Sequence, residues 1–118
     1  MKITLNDIKK LYDFSKKKKI DFCVTPFDPN LVKKISKYVK FFKVASGDLN
    51  YYQLLKEIKK TKKIALVSTG ASKYKDIKNS LKYLNKKKVA ILHCVSSYPT
   101  KKEDINLSNI LELKNNFN

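Results

Sequence analysis

The sequence predicts an α/β protein, a partial (β/α)8 TIM barrel of about four parallel strands with intervening helices. Three observations predict it. Short apolar runs alternate with amphipathic stretches of helical period. Each run is continuous enough for a strand buried on both faces, and each ends on hydroxyls or charged groups. Those polar ends recur about 20 to 30 residues apart, which is the βα rhythm of a parallel sheet. A doubly wound sheet satisfies the same rhythm, but four successive strands with functional-looking carboxyl ends favour the barrel.

The elements follow in order. Thr4-Leu5-Asn6-Asp7 is a capping signal, and Ile8, Leu11, Tyr12 and Ser15 continue at helical spacing until the lysine run Lys16 to Lys19, which suits the negative end of the helix dipole. Ile20 to Val24 reads as a short strand ending in Thr25-Pro26. Asp28 and Pro29 form an N-cap and first-turn pair ahead of an apolar stripe of Leu31, Val32, Ile35, Tyr38 and Val39. A second strand, Phe41 to Ala45, ends in Ser46-Gly47-Asp48. Asn50 is placed to cap a helix carrying Leu54, Leu55 and Ile58. Ile64 to Val67 is a third strand, ending in Ser68-Thr69-Gly70, and Ser72 opens a helix with Tyr74, Ile77, Leu81 and Leu84 on one face. Val89 to Leu92 leads into His93-Cys94-Val95-Ser96-Ser97-Tyr98-Pro99-Thr100. Asn106 to Leu113 forms a short last helix, and 115–118 reads as a loop.

A complete barrel of this type takes about 250 residues, so 118 supply about half of one. The chain opens on a helix with no strand before it, and four parallel strands cannot close. Residues 1–118 are therefore expected to be the central part of a barrel domain, a fragment whose first and last strands lie elsewhere.

Composition narrows the function. The net charge is +17, and all 27 basic residues are lysine. Sequence-reading of nucleic acid leans on the planar arginine fork, which is missing, so no specific nucleic-acid partner is expected. A small basic polyanion-binding protein remains the alternative from another class, through the field alone. No apolar stretch approaches the roughly 20 residues that span a bilayer and no signal peptide pattern starts at Met1, so a cytoplasmic location without membrane is expected. Cys23 and Cys94 lie inside apolar runs with no CxxC spacing, which predicts two buried free thiols.

The polar strand ends carry the chemistry. Lys43 interrupts an otherwise apolar strand, and an ammonium there needs a partner or a route to water. Pointing into the mouth beside Ser46, it offers a point charge to a phosphate or carboxylate; snorkelling to solvent is the alternative. Thr25, Ser68 and Ser96 would surround that anion with hydroxyl donors. Gly47 and Gly70, the two glycines of the chain, both follow a serine-containing strand end, where a glycine permits a sharp turn and lets N–H groups approach an anion; a plain turn explains either one alone. His93, the single histidine, cannot build a multi-histidine metal site and is expected to be a hydrogen-bonded core residue. Tyr98, outside the strand and before a rigid Pro99, suits a substrate-contacting hydroxyl or a rim aromatic.

Thr25-Pro26-Phe27-Asp28, Lys43-Val44-Ala45-Ser46-Gly47-Asp48-Leu49, Val67-Ser68-Thr69-Gly70 and His93 to Thr100, in this order and spacing, resemble the sialic acid synthase (N-acetylneuraminate/legionaminate synthase) family. Glu103-Asp104-Ile105-Asn106-Leu107 also resembles the segment after that family's YPT motif. The resemblance implies a phosphoenolpyruvate-dependent, C–C bond-forming transferase that condenses phosphoenolpyruvate with an N-acetylated hexose such as N-acetylmannosamine. It implies phosphoenolpyruvate contacts from Thr25, Lys43, Ser46 and Ser68, and sugar or intermediate contacts from Asp48, Ser96 and Tyr98; position 96 is asparagine in some members. It also implies a divalent metal, Mn²⁺ or Mg²⁺, held by histidines beyond the YPT motif and so not by this chain, a C-terminal antifreeze-like domain, and a homodimer. By that reading the chain alone lacks metal and activity. Other phosphoenolpyruvate-condensing synthases of the same barrel type, making octulosonate or heptulosonate sugars, are the nearest alternative, which the YPT and SGD motifs disfavour. A pseudaminate synthase is less expected, because its KCTSAYP pattern differs from His93 to Pro99.

Overall fold

The computed structural model describes residues Ile3 to Phe117. The elements run α1 (Leu5–Lys17), β1 (Cys23–Val24), α2 (Pro29–Ile35), β2 (Phe41–Val44), α3 (Tyr52–Lys60), β3 (Ile64–Ser68), α4 (Tyr74–Leu81), β4 (Val89–Leu92) and α5 (Ser108–Phe117). The strands form one four-stranded parallel sheet in the order β1-β2-β3-β4. That order settles the choice left by the rhythm: a doubly wound sheet reverses direction at a switch point, and here each strand simply adds beside the last.

Side chains alternate across a strand, and one face of the sheet is buried. Phe42, Val44, Ala65 and Val67 are buried in a single core with Ile8 of α1, Val32 and Ile35 of α2, Leu54, Leu55 and Ile58 of α3, Ile77 and Leu81 of α4, and Leu113 of α5. Burying each of the larger side chains contributes about 1.5–3 kcal/mol. All five helices thus cover one face. The other face carries Cys23, Phe41, Lys43, Ile64, Leu66 and Ala90, none of them fully buried. The sheet is an arc, not closed, with a helix layer outside and an open inner face.

Several sequence expectations hold at the helix starts. Thr4 and Asp7 form a reciprocal capping box, with Asp7 N–H donating to Thr4 Oγ1 at 3.2 Å and Thr4 N–H to Asp7 Oδ2 at 2.9 Å. The Thr4 hydroxyl and N–H hold the Asp7 carboxyl below its ordinary value. Asp28 caps α2, accepting from Asn30 N–H at 2.8 Å, with Pro29 at the first helical position. Other boundaries move. β1 begins at Cys23 and not at Ile20, because Ile20 belongs to the stop of α1: Lys19 takes φ 56°, its N–H donates to Lys16 O, and Ile20 N–H donates to Ser15 O. This is a Schellman motif with lysine where glycine is usual. α3 starts behind Tyr51 rather than at Asn50, because the tight 3₁₀ turn Ser46–Asp48 carries the chain one residue further, with Tyr51 N–H on Asp48 O at 2.9 Å. α4 starts behind Lys73, whose N–H is held by Asp76.

The C-terminal stretch expected to be a loop is helical through Phe117; Asn118 lies outside the described residues. Phe117 packs against the core and lies 6.0 Å from the Tyr74 ring, and Asn116 donates to Glu112 O, so tertiary contact prolongs the helix past its polar residues. Tyr74 Oη also donates to Glu112, tying α4 to α5, and that bond pushes the phenol up. No helix among the described residues is long and apolar enough to cross a membrane.

Candidate functional site at the carboxyl ends of the strands

The parallel register explains how residues far apart in sequence meet. Lys43 pairs with Leu66, and Ser68 pairs with Leu92. Each pairing keeps side chains on one face, and a step of two residues returns to that face. Lys43 on β2, Ser68 on β3 and Cys94 just beyond β4 therefore climb the open inner face as a staircase, the stagger a barrel sheet needs.

Their side chains touch. Lys43 Nζ donates to Ser68 Oγ and to Val44 O at 3.2 Å. Ser68 Oγ lies 3.1 Å from Cys94 Sγ. The lysine finds its partners inside the sheet face and does not snorkel away; it is half-buried, while Ser68 is buried. An ammonium offers three donors, and two have acceptors among the described residues.

A second row lies one step further out, in the loops. Gly70 N–H donates to Ser46 Oγ at 3.1 Å. A Cβ on Gly70 would stand 2.6 Å from Ser96 Oγ, 3.1 Å from Ser46 Oγ and 3.2 Å from Cys94 O. Ser46, Gly70 and Ser96 thus converge from three successive strand ends. Neither glycine adopts a positive φ. Gly70 is a matter of space. Gly47 has nothing within 4 Å of where a Cβ would be and is a plain turn residue.

Buried Ser80 secures the Ser46 loop from behind. Its hydroxyl reaches Leu49 O at 2.7 Å as well as Asp76 O at 2.8 Å, pinning the residue that ends the Ser46–Asp48 turn to α4. Thr69 does the same for the β3 end, with N–H and Oγ1 both on Leu92 O.

Of the seven site residues read from the sequence, Lys43, Ser46, Ser68 and Ser96 come together. Thr25 follows the Val24–Phe42 pairing and so stands level with Lys43, but no hydrogen bond joins it to Lys43 or Ser68 among the described residues. Asp48 lies in the 3₁₀ turn, half-buried and outside the network. Tyr98 is 94% exposed, and no hydrogen bond joins it to the others among the described residues.

The cysteines and His93 depart from expectation. Cys23 is exposed, because β1 is an edge strand and Cys23 faces the helix-free side. Cys94 is half-buried within the site, which its setting in an apolar run did not signal. His93 points the other way along the strand, toward the crevice between α4 and α5, and its buried Nε2 has no hydrogen-bond partner among the described residues. No three His, Cys, Asp or Glu side chains among the described residues come together to hold a metal ion. The divalent metal implied by the resemblance does not fit the residues present.

The whole chain, residues 1–118, matches the model of the NeuB family. The chain belongs to that family. Among curated relatives, this NeuB-family chain is 38% identical to an uncharacterised protein of Methanocaldococcus jannaschii, over all of the chain and 36% of that protein. It is 32% identical to the N,N'-diacetyllegionaminic acid synthase of Campylobacter jejuni, over 99% of the chain and 37% of the synthase. The crystal structure of N-acetylneuraminic acid (sialic acid) synthetase from Leptospira borgpetersenii, in complex with citrate, superposes with a TM-score of 0.89 at 33% identity, over 97% of this chain and 41% of that one. The chain thus spans a little over a third of the length of the curated relatives it matches. The arc of four strands is a sector of their TIM barrel.

Proposed function

We propose that this chain provides the phosphoenolpyruvate-anchoring sector of a nonulosonic acid synthase. The whole protein would condense phosphoenolpyruvate with an N-acetylated hexose: the enol carbon attacks the open-chain aldehyde, water adds to the resulting cation, and phosphate leaves. The observation that carries the reading is the Lys43 ammonium, held on the inner face by Ser68 beside the Ser46–Gly70–Ser96 loops. A fixed cation with hydroxyl donors around it suits a phosphate or carboxylate, and preorganisation reduces what binding costs. Thr25, level with Lys43, adds a hydroxyl on the β1 side. Asp48, Ser96 and Tyr98 stand further out, where the sugar or the intermediate would lie; Tyr98 would then move in from solvent. The Campylobacter synthase points to a legionaminate-type acceptor and the Leptospira synthetase to N-acetylneuraminate chemistry, and either acceptor suits the same anchor.

The test is phosphoenolpyruvate titration of the chain, followed by calorimetry or amide NMR, with Lys43→Ala as the comparison. The substitution is expected to weaken binding at least about tenfold, or roughly 1.4 kcal/mol. Unchanged affinity would remove Lys43 from the site. Absence of any binding to the unsubstituted chain would remove the anchor.

A further inference from the structure

We infer that Cys94 is a positioning residue of the anion site, acting through Ser68 on Lys43. The inference rests on the reading of Lys43 as the anion's anchor and adds a residue to it. A lysine ammonium can only donate, so Ser68 Oγ must accept from Lys43 Nζ. That leaves the Ser68 hydroxyl with one proton and one free lone pair, in a residue that is only 4% exposed. The one other side-chain group bonded to it among the described residues is Cys94 Sγ, at 3.1 Å.

A thiol both accepts and donates weakly, and that ambivalence matters here. With no anion present, the Ser68 proton is donated to Cys94 Sγ. When an anion arrives beside Lys43, the Ser68 proton can turn toward it, and the Cys94 S–H then donates to the free lone pair. Ser68 is satisfied in both arrangements without moving a heavy atom. Removing the sulfur leaves a buried hydroxyl short of a partner in one arrangement or both, and frees it to rotate away from Lys43. The backbone of the same residue is also placed tightly, since Cys94 O stands 3.2 Å from where a Gly70 Cβ would be. Cys94 therefore links the strand row of the site to the loop row.

The experiment compares the full chain with its Cys94→Ala, Cys94→Ser, Ser68→Ala and Ser68→Ala/Cys94→Ala variants. Two readouts are used: hydrogen exchange of the Lys43 ammonium by ¹⁵N NMR without ligand, and affinity for phosphoenolpyruvate. Cys94→Ala is expected to speed the exchange and to weaken binding about fivefold. Cys94→Ser, which keeps a donor and acceptor, is expected to stay within about twofold on both, and the double variant to be no worse than Ser68→Ala, as coupled residues require. Where alanine unfolds the chain, Cys94→Val fills the space without a polar group and is expected to behave as alanine does. Unchanged exchange in Cys94→Ala, serine failing as alanine does, or additive effects in the double variant would each overturn the role. If the unsubstituted chain binds no phosphoenolpyruvate, the functional reading falls, while the exchange readout still decides whether Cys94 positions Lys43.

Discussion

Gly47 and Gly70 look alike in the sequence, each following a serine at the end of an apolar run, yet the structure separates them completely. A methyl group on Gly70 would press on two serine hydroxyls and on the backbone carbonyl of Cys94; the hydroxyls can swing aside, but the carbonyl belongs to a strand end and cannot. Gly70→Ala is expected to cost about 1–3 kcal/mol, the usual penalty for overpacking. Gly47→Ala meets nothing and needs no unusual φ, so it is expected to be neutral or to stabilise by about 0.4–1 kcal/mol through the unfolded chain. Urea unfolding of both variants checks the pair, and equal destabilisation would show that the loops relax more than the packing allows. The difference was invisible in the sequence because it depends on which other strand ends crowd the glycine. Lys43 was visible for the opposite reason: a charge inside an apolar run breaks a local rule, and such breaks mark sites. Cys94 breaks no rule, being a small soft residue that fits any core, so only its contact with Ser68 reveals it.

At the level of elements, helix starts were legible and helix stops were less so. Thr4 with Asp7, and Asp28 with Pro29, are local chemistry, and local chemistry is written in adjacent letters. The stops of α1 and α3 are set by residues in left-handed conformation, Lys19 at φ 56° and Lys62 at φ 58°, where no glycine announces them. Holding a side chain there costs about 1–2 kcal/mol, which tertiary contacts must offset. Lys19→Gly is therefore expected to stabilise the chain by about 1 kcal/mol, since the Schellman bonds from Lys19 N–H and Ile20 N–H are backbone bonds and survive the change. Lys62→Gly is expected to do the same, its N–H donating to Lys59 O. Thermal unfolding by circular dichroism measures both. A loss of stability in either would mean that the lysine side chain contributes more than its backbone strain costs.

At the level of the whole molecule, the βα rhythm does more than fix the fold; it sorts the charge. The four helices that lead into a strand, α1 to α4, run back against the sheet, so their C-termini fall at the end opposite the candidate site, and cations there answer the helix dipoles. Lys16 to Lys19 lie in or just past the last turn of α1, Lys33, Lys34 and Lys37 in or just past that of α2, Lys59, Lys60 and Lys62 in or just past that of α3, and Lys82 with Lys86 to Lys88 follow α4. Two ion pairs, Lys40 with Asp21 and Lys60 with Glu57, relieve this end among the described residues, and both involve exposed lysines. A net charge of +17 on a body of 39 × 31 × 26 Å, crowded toward one end, opposes the folded state through self-repulsion. Salt should lift that penalty, because the Debye length shrinks to about 10 Å at 0.1 M and about 3 Å at 1 M. Sodium chloride added from near zero to about 0.2 M is expected to raise the melting temperature by roughly 4 °C, the shift that ~1 kcal/mol produces in a domain of about this size. Most of the rise belongs in that range, where screening acts, and a linear rise continuing to molar salt would instead mark the general strengthening of apolar burial. A flat or falling curve would mean that the lysines stand far enough apart to ignore one another, and that the crowding of charge at the helix ends carries no energetic weight.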